Sequence, residues 1–154
     1  MISISPATSS EIATVLTFVE KLLIELSDEG DEFSGLDRGK TLRDIAANAD
    51  RFNPFLAKNE RGEVVGVMTV VETFAIYAGG NYGVIDELYV APEYRSQGVG
   101  EAFIEAVKAL GKAKNWVRVD VTAPPEEKWR RTVAFYERQG FVFTGPKLRW
   151  KIEE

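Results

Sequence analysis

The sequence predicts a single mixed α/β domain that spans residues 1–154. Segments with apolar residues at helical spacing alternate with segments rich in Val, Ile and aromatic residues that have the period of strands. The length of 154 residues suits one buried core and leaves little room for two. A composition of 45% hydrophobic and 28% charged residues is that of a globular chain, neither disordered nor fibrous.

The order of predicted elements indicates a central mixed sheet of about six to seven strands with about four helices. In chain order they are strand 1–5, helix 8–27, helix 38–49, strands 52–58, 63–76 and 82–90, helix 98–113, strand 116–122, a helix from Pro124 to before Gly140, and a final hairpin of strands 141–144 and 147–152. No repeat, linker or low-complexity segment interrupts this order.

Each element is predicted from its spacing and its ends. Thr8 and Glu11 have the spacing of a capping box at the start of the first helix. The second helix is weaker, and its residues predicted to face inward are Leu42, Ile45 and Ala46. Residues 59–62 have hairpin chemistry, and Pro92 ends the strand before it. Gly140 is predicted to cap the last helix at its C-terminal end.

Two residue types are absent from the chain, and their absence excludes several kinds of chemistry. Without cysteine there is no disulfide, thiol nucleophile or thiolate metal site. Without histidine there is no Ser-His-Asp catalysis and none of the usual zinc ligands, so we expect no metal. Any proton transfer must use Asp, Glu, Tyr, Lys or water.

The charge of the chain bears on its partners. A net charge of −5 argues against a nucleic-acid-binding surface, which needs clustered Lys and Arg. It suits a cationic or neutral partner. No apolar run is long enough for a transmembrane helix, and the first residues lack a secretory signal pattern, so we expect no membrane partner and a cytoplasmic location.

The most informative stretch is 85–100, which reads IDELYVAPEYRSQGVG. It predicts a strand, a turn bounded by Pro92, and a glycine-containing loop that becomes a helix N-terminus. Such an end offers unpaired N–H groups and the positive pole of the helix dipole, and Arg95 adds a cation, so a phosphate or pyrophosphate is the natural ligand. The alternative reading is a strand-to-helix turn whose glycines serve tight packing.

This stretch resembles motif A of the GNAT superfamily of acyl-CoA-dependent N-acetyltransferases, in which a strand ending Leu-Tyr-Val precedes Pro and Arg/Gln-x-x-Gly-x-Gly/Ala. Residues 134–141, AFYERQGF, resemble the family's motif B. The order of elements also resembles the GNAT fold along essentially the whole chain. Two departures stand out: residues 124–131, shortly before motif B, contain no Asn where many relatives have one, and Ser96 stands where Gly is common.

The resemblance implies a binding site for acetyl-CoA, the acyl donor, where two parallel strands, 82–90 and 116–122, splay apart. A bulge in the first of these strands frees backbone groups for the pantetheine arm, at positions matched by Leu88, Tyr89 and Val90. The pyrophosphate is implied to lie against the backbone of the following loop, formed by Arg95, Ser96, Gln97, Gly98, Val99 and Gly100. Dimers are common among relatives, which implies a homodimer.

The resemblance also implies attack of an amine on a thioester, for which Tyr136 matches the family's general acid. Glu87, acting through water, is the expected base, with Asp86 as the alternative; the two point to opposite faces unless a bulge changes the phase of the strand. Tyr136 can also be read as a core aromatic, and Glu87 as a surface or ion-paired carboxylate. The acidic run 28–32 falls where relatives often build the acceptor site, but the favoured interpretation of the run is a solvated loop.

The predicted function is therefore transfer of an acetyl group from acetyl-CoA to a primary amine of a small molecule or peptide, through a tetrahedral intermediate. The first alternative is a non-catalytic acyl-CoA-binding regulatory module. The second is a nucleotide-binding domain that uses the same loop, for which ATP would bind more tightly than CoA.

Overall fold

The computed structural model describes residues 1–27, 33–122, 130–145 and 147–152. Its helices are α1 (Ile12–Leu26), α2 (Arg38–Ala47), α3 (Val99–Lys114) and α4 (Arg130–Arg138). Its strands are β1 (Ser3–Pro6), β2 (Phe52–Lys58), β3 (Val64–Ala75), β4 (Gly80–Val90) and β5 (Val119–Val121). The predicted α/β fold class is confirmed, and most boundaries lie within two residues of the predicted ones.

The described strands form one five-stranded sheet in the order β1-β2-β3-β4-β5. Neighbours from β1 to β4 are antiparallel, whereas β4 and β5 are parallel. Parallel strands need a crossover, and α3 supplies it. The sheet is therefore mixed, as predicted, and its only parallel pair among the described strands is β4 with β5.

Helices cover both faces of the sheet. On one face α1 packs through Val15, Phe18 and Val19 against Leu56, Val67 and Tyr89. On the other face α3 and α4 form the larger core, whose fully buried members include Met68, Val70, Ile85, Phe103, Ile104 and Val107. We call these the α1 face and the α3 face.

The ends of the helices follow the sequence signals. The Thr8 backbone N–H donates to Glu11 Oε1 over 2.9 Å, which closes the predicted capping box. Asn115, at φ 59°, caps α3 at its C-terminal end, a position that Asn tolerates better than most residues. Gly140, at φ 98°, follows α4 in the left-handed conformation that its predicted capping role requires. The predicted start of this helix at Pro124 lies outside the described residues.

The prediction for α2 is wrong in its inward face. Leu42 and Ala46 are exposed, and only Ile45 is half-buried. The helix stands off the sheet and is tied to α1 by Arg38, whose guanidinium pairs with Glu20 and donates to the carbonyl oxygen of Ala13. A cavity of about 300 Å³ remains between α2 and the sheet, lined in part by Ile45, Phe52 and Val71. Apolar spacing alone does not show how closely a helix approaches its sheet.

The predicted final hairpin is also wrong for the residues that the structure describes. Residues 141–145 and 147–152 form no strand, so the sheet has five strands rather than six to seven. Alternating apolar residues predict a strand only if a partner strand pairs with them. Here the large apolar side chains stay exposed: Val142, Phe143, Leu148, Trp150 and Ile152.

Candidate active site

A β-bulge divides β4 into two halves, both of which pair with β3, whereas only the first half also pairs with β5. Ile85 pairs with Val70 and Glu87 with Thr69, so Asp86 is the extra residue. The bulge places Ile85 on the α3 face and Glu87 on the α1 face, although the two residues are only two positions apart and would share a face in a regular strand. Asp86 and Glu87 therefore do not simply alternate, and the bulge that the family resemblance implied is present.

The two parallel strands separate at this bulge. The last residue pair between them is Ile85 with Val121. From Asp86 to Val90 the β5 side of β4 has no partner strand within the described ranges, and we call this stretch the free edge. An unpaired edge offers backbone N–H and C=O groups to any extended chain that carries amides.

The bulge also decides which backbone groups face the free edge. The Ala91 N–H donates to the Val65 carbonyl oxygen over 2.9 Å, toward β3. The Val90 carbonyl belongs to the same trans peptide as the Ala91 N–H, so it points in the opposite direction, toward the free edge. Because backbone groups alternate along a strand, those of Leu88 also point toward the free edge. Tyr89 differs, because its backbone faces β3 and its ring is buried against Phe18, with the ring centroids 6.2 Å apart.

A short 3-10 helix, Pro92–Tyr94, follows β4, and the loop of residues 95–100 joins it to the first turn of α3. Ser96 at φ 62° and Gly98 at φ 85° both adopt the left-handed conformation, which folds the loop back over the helix N-terminus. The first helical hydrogen bond runs from the Ala102 N–H to the Gly98 carbonyl. The N–H groups of residues 96–101 have no acceptor in the described part of the chain, as an anion site requires.

The two glycines of the loop do different work. A Cβ on Gly98 would have no atom within 4 Å, so the space on that side of the residue is open. The left-handed backbone, rather than close packing, therefore accounts for a glycine at this position. A Cβ on Gly100 would lie 3.0 Å from the Phe135 ring, so Gly100 lets α4 pack on α3. Val99 has a side chain buried in the core, which leaves only its backbone for a ligand. The Gln97 side chain donates to the Glu93 carbonyl.

Arg95 reaches away from the loop that carries it. Its Nε donates to the Val90 carbonyl oxygen over 2.8 Å, and its Nη2 donates to Glu25 Oε2 over 2.7 Å. The guanidinium lies 5.4 Å from the centre of the Tyr89 ring. The side chain therefore links the last turn of α1 to the free edge of β4.

Glu87 is a half-buried carboxylate with one close partner. The hydroxyl of the buried Thr69, on β3, donates to Glu87 Oε1, and the Glu87 N–H donates to that hydroxyl over 3.2 Å. Burial raises the pKa of Glu87, the Thr69 hydrogen bond opposes the rise, and the charge of Asp86 adds to it. Such a carboxylate can take up a proton more readily than an exposed one.

Asp86 is more exposed than Glu87, and it stands at the point where the two strands separate. Desolvation raises the pKa of Asp86, and the charge of Lys147 partly opposes this rise. Two carboxylates with raised pKa values thus lie next to each other at the bulge. Neither carboxylate has a cationic nitrogen of a described residue within 4.0 Å of its oxygens.

Tyr136 lies on the α3 face, in the core between α3, α4 and the sheet. It is 7% exposed, and its ring packs edge-on against Phe135 and Phe141 with centroids 5.2 and 5.5 Å away. Burial raises the pKa of Tyr136 to about 12, which keeps the phenol protonated at neutral pH. The residue is therefore a core aromatic as well as a candidate proton donor.

Glu87 and Tyr136 do not touch, because they lie on opposite faces of the sheet. The opening between β4 and β5 is the place that both faces border. The acidic run 28–32 lies outside the described residues. Within those residues, no helix is long and apolar enough to cross a membrane, and no group of three or more acidic side chains could hold a metal ion.

Two residues of this region were not predicted as site residues. Thr69 could have been recognised from the sequence, since it is the single polar residue in the apolar run Val64–Val71. No sequence pattern marks Glu25 as a site residue, because it lies 70 positions from Arg95 on an ordinary amphipathic helix.

Solved structures of similar fold are known. An aminoglycoside acetyltransferase from an uncultured soil metagenomic sample superimposes with a TM-score of 0.80 at 22% identity, over 99% of both chains. An aminoglycoside antibiotic 6′-N-acetyltransferase from Acinetobacter baumannii gives 0.74 at 15% identity, over 100% of this chain and 99% of that one. A predicted acetyltransferase with acetyl-CoA from Clostridium acetobutylicum gives 0.77 at 18% identity, over 98% and 96%.

At these identities the likeness establishes the fold alone. No curated protein matches the sequence closely enough to add to this comparison. The family model of the acetyltransferase (GNAT) domain matches residues 50–143, which is well over half of the chain and includes the bulge, the free edge, the 95–100 loop and Tyr136. The chain belongs to the GNAT acetyltransferase family and is an acyltransferase enzyme.

Proposed function

We propose that the enzyme transfers the acetyl group of acetyl-CoA to a primary amine of a small molecule or peptide. The observation that carries the proposal is the continuity of two binding features. The free edge of β4 is followed, after one 3-10 turn at Pro92–Tyr94, by the 95–100 loop, whose N–H groups lack acceptors among the described residues. An extended amide-containing arm joined to a diphosphate matches such a surface.

The proposed binding site of acetyl-CoA follows from this geometry. Leu88 and Val90 offer backbone groups to the pantetheine arm, and Tyr89 between them supports the strand from the α1 face. The N–H groups of Ser96, Gln97, Gly98, Val99 and Gly100 donate hydrogen bonds to the diphosphate oxygens, and Arg95 is the nearest cation on the loop. The N-terminal end of α3 adds its dipole.

The reaction needs a neutral amine and a leaving thiolate. An alkyl amine with a pKa near 10.4 is neutral to roughly one part in a thousand at pH 7, so a base is required. Glu87, through water, takes the proton from the α1 face. The nitrogen bonds to the thioester carbon and the carbon–sulfur bond breaks. A backbone N–H, that of Leu88 or that of Val90, stabilises the oxyanion of the tetrahedral intermediate.

Tyr136 stands on the opposite face, where it donates a hydrogen bond to the departing sulfur. An ordinary thiol has a pKa of about 8.5, well below the value of about 12 for Tyr136. Complete proton transfer from the free enzyme's phenol is therefore uphill, and the proposed role is hydrogen-bond donation to a thiolate that later takes a proton. This division places proton removal and sulfur departure on different faces of the sheet.

The deciding experiment measures acetyl-CoA consumption with a panel of amines: a polyamine, an aminoglycoside, an amino acid and a peptide with a free N-terminus. Turnover with at least one amine supports the proposal. The alternative, a non-catalytic acyl-CoA-binding module, predicts CoA binding without turnover of any amine. Tighter binding of ATP than of CoA would refute both.

Tyr136→Phe separates the catalytic role of the phenol from its packing role. We expect kcat to fall by about 100-fold, at the lower end of general-acid effects because a thiolate leaves readily. The Kd of CoA and the free energy of unfolding should change little, since the ring stays and its hydroxyl has no hydrogen-bond partner among the described residues. Unchanged turnover would leave Tyr136 a core residue only.

A further inference from the structure

Arg95 links the end of α1 to the free edge of β4, the edge that binds CoA in the proposed function. Its Nε binds the Val90 carbonyl on the free edge, and its Nη2 binds Glu25 at the end of α1. The ion pair is only half-exposed, with side-chain exposures of 41% for Arg95 and 36% for Glu25. The ring of Tyr89 lies against the guanidinium and fixes its position further.

The Val90 carbonyl is the last acceptor on the free edge before the chain turns into the 95–100 loop. It points away from β3, so an extended chain that pairs with this edge must place an amide N–H beside it. The Arg95 guanidinium already occupies that place. Pairing of an amide arm with Val90 and the contact between Arg95 and Val90 therefore compete for the same side of β4.

A diphosphate on the 95–100 loop offers the displaced guanidinium a better partner. Arginine binds phosphate oxygens with two parallel hydrogen bonds, and the diphosphate carries two negative charges where the Glu25 carboxylate carries one. The backbone of Arg95 belongs to the loop itself, so a rotation of the side chain is sufficient to reach an anion bound there. The exchange costs little, because a half-exposed ion pair contributes little to stability.

Displacement of Arg95 leaves the Glu25 carboxylate without its cation. Glu25 lies close enough to Tyr89 for its charge to act on the phenol, and Tyr89 is two residues from Glu87 on the same face of the sheet. We propose that Arg95 couples the two substrates: CoA displaces it from Val90 and Glu25, and the uncovered Glu25 then binds a second cationic group of the acceptor. This inference rests on the proposed function and makes Glu25 a specificity-determining residue for acceptors with two or more positive charges.

The first test is the affinity for CoA, measured by calorimetry on the intact chain. Glu25→Gln removes the competitor of the phosphates, so the Kd of CoA should fall by about two- to fivefold, the range of a partly exposed ion pair. Glu20→Gln is the matched control, because Glu20 is also on α1 and also pairs with an arginine, Arg38, away from the free edge. Its Kd should equal that of the wild type. An unchanged or weaker affinity in Glu25→Gln overturns the proposal.

The second test uses spermidine as a cationic probe, titrated with and without saturating CoA. In the wild type, CoA should strengthen spermidine binding by about two- to fivefold more than in Glu25→Gln. Bound CoA carries the same charge in both proteins, so the difference isolates Glu25. Equal strengthening overturns the coupling. A wild-type chain that binds no CoA refutes the proposed function and this inference with it, whereas CoA binding that fails these comparisons refutes the inference alone.

Discussion

Ser96 has the most strained backbone of the 95–100 loop. Its φ of 62° lies in the left-handed region, which costs a residue with a Cβ about 1–2 kcal/mol. The family resemblance had already marked Ser96 as standing where Gly is common, and the dihedral angle gives the reason. The strain is kept at the point where the chain folds back over the start of α3, so it belongs to the anion site rather than to the core.

Ser96→Gly should therefore stabilise the protein. Relief of the strain exceeds the extra chain entropy of glycine in the unfolded state, so we expect the free energy of unfolding to rise by about 0.5–1 kcal/mol. Denaturant unfolding measures this gain. Ser10→Gly, at an exposed position in the turn before α1, is the control and should not stabilise. A loss of stability in Ser96→Gly would mean that the hydroxyl contributes more than the backbone strain costs.

Glu87→Gln should raise stability while it lowers activity. Burial raises the pKa of Glu87 in the folded state above its unfolded value, so the native state binds more protons between these two values. Stability is then lost as the pH rises through that interval, and the loss persists at neutral pH. Glutamine removes the penalty and can still accept the hydrogen bond from Thr69.

The measurement is the free energy of unfolding of both proteins between pH 4 and pH 8. The advantage of Glu87→Gln should be present at neutral pH and should vanish below about 4.5, the ordinary value for Glu. In parallel, kcat/KM of the wild type should rise with pH through the raised pKa of Glu87, and this limb should be absent from the variant. A wild-type stability that rises with pH relative to the variant would contradict the assignment.

At the scale of elements, the meeting of β4 and β5 is set by one aromatic residue. Trp116 packs close to Gly83 of β4 and Gly111 of α3, and its Nε1 donates to Glu72 Oε2 over 2.9 Å. This contact places the start of β5 beside β4, and only the stretch beyond Ile85 is left to separate. The strand pair is thus defined by the Trp116 contact at one end and by the bulge at Asp86 at the other, where the sheet opens.

Gly83→Ala tests this arrangement. A Cβ at Gly83 would lie 2.3 Å from the Trp116 ring, so either the ring or β5 must move. We expect a loss of about 1–3 kcal/mol in the free energy of unfolding, as for other overpacked cores, together with weaker CoA binding. Gly39→Ala is the control, because its nearest neighbour would be 3.5 Å away on an exposed helix. An unchanged CoA affinity in Gly83→Ala would show that the separation of the strands does not depend on Trp116.

The elements also show which features the sequence could specify. Helices and central strands follow from local spacing, caps and turns, and α1, β2, β3, β4 and α3 lie where these signals predict them. The bulge at Asp86 could not be derived from local pattern, because it depends on register with β3, and the family resemblance supplied it instead. The link between Arg95 and Glu25 joins residues 70 positions apart, and no local pattern encodes it.

At the scale of the whole molecule, the family's cofactor gives a global measurement. A ligand that binds the folded state alone stabilises it by about 2.7 kcal/mol at 100 times its Kd. For a domain of this size, that corresponds to a rise in Tm of roughly 5–11 °C. Acetyl-CoA should produce this shift by differential scanning calorimetry, and ATP at the same multiple of the CoA Kd should not. An equal shift with ATP would favour the nucleotide-binding alternative.

The exposed C-terminal segment leads to a prediction about assembly. Phe143, Leu148 and Trp150 are 78%, 92% and 81% exposed within a few residues of one another, which is more apolar surface than a monomer usually leaves in water. The outer edge of β5 has no partner among the described strands. We expect a second copy of the chain to cover this surface, in keeping with the homodimer that the family resemblance implied. A symmetric contact would bury the apolar side chains of both copies at once.

Sedimentation measures this assembly directly. The wild type should sediment as a dimer at micromolar concentration, and Trp150→Lys should shift it toward the monomer, because a buried ammonium without a partner is costly. Ile76→Lys is the control for loss of an exposed apolar side chain outside the C-terminal segment, since Ile76 is 88% exposed in the turn between β3 and β4. It should leave the dimer intact. Because the free edge of β4 and the 95–100 loop lie within one chain, CoA should still bind to the monomeric variant; loss of binding together with the dimer would show that a second copy completes the site.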